Sequence, residues 1–99
     1  MEVRIQAIHF GASEKLQEFI QKKVVKLEKF CDDIKKVEVS LKVVKPETVM
    51  NKEAGIKVLA LNSEFFAEKV SDTFEESVVV CVDALSKQLT KAKEKLRGK

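Results

Sequence analysis

From Val37 to Val43 apolar and polar residues alternate without a break: Val37, Val39, Leu41 and Val43 stand between Glu38, Ser40 and Lys42. Successive side chains leave a strand on opposite faces, so this segment is a strand with one dry face and one wet face. Its sheet needs a cover on one side only, and the rest of a 99-residue chain has to supply that cover.

Two segments have the periodicity of such a cover. Leu16, Phe19, Ile20, Val24, Leu27 and Phe30 follow at the three-and-four spacing of an amphipathic helix. Gly11-Ala12-Ser13 precedes them: Ser13 is placed to accept from the free amides of the first turn, and Glu14 meets the positive end of the helix dipole. This helix is expected to run to about Cys31. Near the end of the chain Phe74, Val78, Cys81, Val82, Leu85, Leu89, Ala92 and Leu96 form a second stripe. There Asp72 is the expected cap, with Glu75 at the third helical position, and the helix is expected to reach Arg97.

Three further strands complete the order. Val3 to Ile8 sets Val3, Ile5 and Ala7 against Arg4 and Gln6. Ile56 to Leu61 and Glu64 to Val70 are joined tightly through Asn62-Ser63 and are therefore antiparallel neighbours. Lys45 to Ala54 holds the only proline and reads as an exposed, mobile loop. The expected fold is α+β, in the order β-α-β-β-β-α: a four-stranded sheet with two helices packed on one face. The chain makes one domain over residues 1–99, since one this short rarely holds two cores.

Charge becomes informative once it is placed on these helices. Nineteen Lys and Arg against 16 Asp and Glu leave a formal net charge of +3, nearly balanced, although charged residues make up 35% of the chain. At about 100° per residue, Lys15, Lys22, Lys26 and Lys29 fall along one flank of the first apolar stripe, while Glu14, Glu18 and Glu28 fall elsewhere. Lys23 lands within the stripe and has to snorkel its amine outward. On the last helix Lys87, Lys91, Lys95 and Lys99 recur every fourth residue as a ridge. Lysines at i and i+4 repel by a few tenths of a kcal/mol per pair, so stability alone does not favour that ridge. A polyanion does, through counterion release at phosphates. Six phenylalanines, most on core faces, with no Trp or Tyr, leave little for base stacking and favour recognition of folded RNA by backbone and shape.

No constellation for catalysis or metal binding is visible. The single histidine, His9, sits at a strand end, and the two cysteines, Cys31 and Cys81, form no CxxC pair and read as buried free thiols of a reducing compartment. The three glycines make no phosphate loop. No apolar run approaches a membrane span or a secretion signal, so a cytoplasmic protein without catalytic residues, metal or cofactor is expected.

Three stretches carry a resemblance: Lys26-Leu27-Glu28-Lys29-Phe30 closing the first helix, Val37 to Val43, and Leu85-Ser86-Lys87-Gln88-Leu89-Thr90-Lys91-Ala92-Lys93-Glu94-Lys95-Leu96 in the last. With the order and spacing of elements over the whole chain, they resemble the ribosome hibernation-promoting factors, also called ribosome-associated inhibitors or sigma-factor modulation proteins. The resemblance implies a fold similar to double-stranded-RNA-binding domains. It further implies a partner, the small ribosomal subunit with its ribosomal RNA, bound across the messenger and transfer RNA sites so that translation stops. The basic residues it implies for RNA contact are Lys22, Lys26, Lys29, Lys87, Lys91 and Lys95. Longer members carry a second domain that pairs ribosomes. This chain ends directly after its helix, so it is expected to be a monomer when free and to act beside a separate small ribosome modulation factor.

Early in the last helix the sequence departs from the family pattern, with Phe74-Glu75-Glu76-Ser77-Val78-Val79 and an outward-pointing pair, Val79 and Val80. Two other readings fit parts of the chain: a generic double-stranded-RNA-binding module, and a protein-interaction module acting on a transcription factor through Val79, Val80 and the loop after Lys45.

Overall fold

A computed structural model describes residues 1–8, 11–31, 33–44, 50–61 and 63–97, with side chains as far as residue 92. Its elements are β1 (Glu2–Ile8), α1 (Glu14–Val25) running into a short 3-10 segment (Lys26–Lys29), β2 (Ile34–Val43), β3 (Lys52–Ala60), β4 (Glu64–Ser71) and α2 (Phe74–Arg97). The four strands form one sheet in the order β1-β2-β3-β4. β1 and β2 are parallel, joined by the α1 crossover, and the other two pairings are antiparallel. The fold is the expected α+β order with both helices on one face.

The strand registers explain why one face is dry. Val37 lies opposite Val3 on one side and Val58 on the other, and Val39 lies opposite Ile5 and Ile56. The rows continue to Phe65 and Ala67 on β4. Over them sit Ile20, Val24 and Leu27 from the first helical unit and Val78, Cys81, Leu85 and Leu89 from α2, all essentially inaccessible to water. Val82 and Phe74 close the edge of this core. The alternate residues form the open face, in rows such as Arg4, Glu38, Lys57, Phe66 and Gln6, Ser40, Gly55, Glu68.

Four boundaries differ from expectation, each because tertiary contacts override local pattern. First, the helix after Ser13 does not stay α-helical to Cys31. From Lys26 it tightens into a 3-10 turn, the Lys26 amide bonding back to the Lys23 carbonyl. Residues three apart eclipse in that geometry, which lines Leu27 up behind Val24 and ahead of half-buried Phe30.

Second, β3 begins at Lys52. Lys52, Glu53 and Ala54 pair with β2, and Ala54 is fully buried, so these three residues belong to the strand and not to the loop expected over Lys45 to Ala54. Weak strand formers hide this start, and α2 fixes it: the Ser77 hydroxyl donates to the Lys52 carbonyl (2.6 Å) and the Cys81 thiol to the Ala54 carbonyl (3.4 Å). Residues 45–49 of that loop lie outside the described residues. At its end Met50 adopts φ 54°, and Val44 donates to the Asn51 carbonyl at 2.8 Å.

Third, β2 starts at Ile34, three residues before the alternating run, with an irregularity in its β3 pairing between Ile34 and Lys36. Fourth, the cap of α2 is Thr73 and not Asp72. The Glu76 amide donates to Thr73 Oγ1 (3.1 Å) and the Ser77 amide to the Thr73 carbonyl (3.2 Å). β4 extends to buried Ser71, which leaves Asp72 in the bend and moves the Thr-x-x-Glu capping spacing one residue on.

Candidate nucleic-acid interface

The first helix opens as its sequence requires. Ser13 accepts from the Leu16 amide (3.1 Å), and the Gln17 side chain donates to the Ala12 carbonyl (3.0 Å). With Ile20, Val24 and Leu27 turned to the core, Lys22, Lys26 and Lys29 are exposed, and none of the three makes an ion pair among the described residues. Lys23 is half-buried, and its ammonium sits 5.3 Å from the centre of the Phe19 ring. A cation over an aromatic face thus supplements the outward reach required of it.

On α2 the core stripe turns Lys87 and Lys91 outward. Both line an open groove of about 450 Å³ whose other walls are Ser86, Thr90 and Phe30. Phe30 closes the 3-10 segment, so this groove lies where the first helical unit meets the second half of α2. Two lysines whose backbone positions lie about 6 Å apart along the helix axis border it beside two hydroxyl-bearing residues and an aromatic wall. The Ser86 hydroxyl donates to the Val82 carbonyl (2.9 Å). Lys87 also pairs with Asp83 at 3.4 Å, but both side chains are well exposed, and such surface pairs are typically worth under about 1 kcal/mol. Lys91 has no ion-pair partner among the described residues.

The groove therefore brings Lys87 and Lys91 together with Phe30, next in sequence to Lys29. Lys22, Lys26 and Lys29 do not line it. Lys95 lies in the last turns of α2, its side chain outside the described residues. Ser86, Thr90 and Phe30 are the lining residues that charge patterning passes over. The two polar ones had a local signal, each standing one or three positions from Lys87.

Among the described residues no three His, Cys, Asp or Glu side chains gather as metal ligands would. Cys81 is buried, and burial, the largest cause, pushes its thiol pKa up to about 11. Cys31 is only half-buried, contrary to the expectation that both thiols are enclosed, because it follows the 3-10 segment at the rim of the core. His9 lies outside the described residues. No described helix is long and apolar enough to cross a membrane.

The sequence profile of the "Sigma 54 modulation protein / S30EA ribosomal protein" family matches residues 3–97. The chain belongs to this family. Membership makes it a ribosome-associated protein of the kind that regulates translation.

Comparison with curated protein sequences gives no match. Among solved structures, a ribosomal subunit interface protein from Coxiella burnetii superposes with a TM-score of 0.84 at 22% identity, over 94% of this chain and 98% of that one. The N-terminal domain of Protein Y from Thermus thermophilus superposes with a TM-score of 0.80 at 16% identity, over 92% and 98%. At these identities the likeness establishes the shared fold.

Proposed function

We propose that the chain is a non-catalytic hibernation factor that binds the small ribosomal subunit through its basic helix faces, occupies the messenger and transfer RNA sites and stops translation. The observation that carries this reading is the groove at Phe30, where Lys87 and Lys91 present positive charge, while Lys22, Lys26 and Lys29 are exposed on the first helical unit outside that groove. Lys22, Lys26, Lys29, Lys87, Lys91 and Lys95 are its phosphate contacts. Lysine serves here as a mobile point charge, and the free energy comes mainly from released counterions. An RNA stem presents phosphates on both sides of a groove, which suits lysines carried on two separate helical units.

On this reading the protein acts in the cytoplasm as a monomeric single domain, beside a separate small modulation factor if ribosomes are to be paired. Two proteins of the same fold, a ribosomal subunit interface protein and Protein Y, support the assignment.

Co-sedimentation on sucrose gradients tests it. The chain is expected to travel with small subunits at low salt and to leave them as salt rises. Reversing Lys87, Lys91 and Lys95 to Glu is expected to abolish binding while the fold persists, and retained binding would sink the mechanism. Equal affinity for any long RNA duplex would reduce the protein to a generic RNA-binding module.

A further inference from the structure

The outer face of α2 is split by charge. In its first three turns the exposed side chains are Glu75, Glu76, Val79, Val80 and Asp83, and beyond them come Lys87, Thr90 and Lys91. Val79 and Val80 are 43% and 40% exposed. They stand three and four residues after Glu76 and four and three before Asp83, so a carboxylate lies one turn to either side of an apolar pair. Folding gives no reason for that pair. Valine is stiff at its first torsion and is a poorer helix former than Ala, Lys or Glu, and here two of three consecutive valines face water.

We infer that this acidic and aliphatic half of α2 is a docking surface for a Lys- and Arg-rich protein segment that carries an aliphatic side chain onto Val79 and Val80. Charge complementarity selects that partner. An RNA strand meets only carboxylates here. An isologous contact with a second copy is disfavoured: centred on the valines, it sets Glu76 of each copy against Asp83 of the other, a like-charge pairing. A basic segment satisfies both carboxylates while covering the valines. Glu76 also follows the cap of α2 and Asp83 also pairs with Lys87, but neither role removes the negative field. The inference does not rest on the RNA reading, because it uses the opposite half of the helix.

The test is an amide-shift titration of the full chain, 11.2 kDa, with two peptides, Lys-Arg-Leu-Arg-Lys and its Leu-to-Ser counterpart, and in a separate arm with a 16-base-pair RNA duplex. The leucine peptide is expected to move the amides of residues 75–83. Replacing its leucine, or making Val79→Ser with Val80→Ser, is expected to weaken binding at least about threefold through lost apolar contact. Both valines are exposed, so unchanged amide positions elsewhere verify that the variant is folded. Equal binding of the two peptides, shifts located elsewhere, self-association through this face, or RNA shifts at 75–83 would each overturn the inference. Failure of the RNA duplex to move Lys87 to Lys91 would count against the ribosome reading alone.

Discussion

Neutralising one lysine at a time, with salt as the second variable, separates phosphate contact from ordinary surface charge. Lys22, Lys26, Lys29, Lys87 and Lys91 are all exposed, and only Lys87 has an ionic partner among the described residues, Asp83 at 3.4 Å. If these five and Lys95 each meet one phosphate, the logarithm of affinity falls against the logarithm of salt with a slope of about −5.4, or roughly 1,800-fold between 50 and 200 mM. Lys91→Gln is expected to flatten that slope by about 0.9, the share of one phosphate. Lys87→Gln is expected to cost less, since in the free protein Asp83 already holds that ammonium and binding has to compete with the pair. Asp83→Asn is expected to tighten binding slightly for the same reason. Fluorescence titration of labelled small subunits at four or five salt concentrations reads all three slopes. An unchanged slope in Lys91→Gln, or a larger loss for Lys87 than for Lys91, would refute the assignment of these lysines.

The remaining predictions concern the frame that holds the site. Thr73→Ala is expected to cost about 1 kcal/mol and lower the melting temperature by roughly 4–8 °C, with Asp72→Ala nearly neutral; the reverse order would return the cap to Asp72. Ile56→Ala, fully buried in the middle of the sheet, is expected to cost about 2–5 kcal/mol in urea unfolding. Iodoacetamide is expected to modify half-buried Cys31 well before Cys81, whose thiol is enclosed with a pKa near 11. On the open sheet face the hydrogen bond to Glu68, ahead of partial burial, raises the pKa of Glu53, so this carboxyl favours the folded state when protonated and less as pH rises through its folded pKa. Glu53→Gln is accordingly expected to be more stable than the parent at pH 7, with the difference closing by pH 4; a gap of equal size at both pH values would exclude the shared proton.

Much of this protein can be read directly from its residue pattern. The alternation at Val37 to Val43 and the stripes from Leu16 to Phe30 and from Phe74 to Leu89 suffice for strand, helix and the side each buries, since one face of each must leave water. The start of β3 was not legible, because Lys52-Glu53-Ala54 has neither period nor strand preference and is held by β2 and by hydrogen bonds from Ser77 and Cys81. The cap of α2 was misplaced by one residue for a related reason. Both Asp72 and Thr73 can cap, and only the length of β4 decides which of them reaches the first turn. Phe66 is a third case: its sequence neighbour Phe65 joins the core, while Phe66 lies 53% exposed on the open face with its ring 3.4 Å from where a Cβ on Gly55 would sit.

The candidate site divides in the same way. That lysines gather on one flank of each helix is a property of spacing alone, because a helix turns by a fixed angle per residue whatever surrounds it. Whether two such flanks make a shared groove or one broad face depends on where the helices cross, which no single-helix pattern contains. The fold settles it through Phe30: the 3-10 turn carries that ring to α2, and the groove that results has Lys87 and Lys91 on one wall while Lys22, Lys26 and Lys29 stay outside it. Sequence determined which residues carry charge to the surface, and packing determined which of those charges share a cleft, because side-chain direction is local whereas the distance between two helices is set by the whole core beneath them.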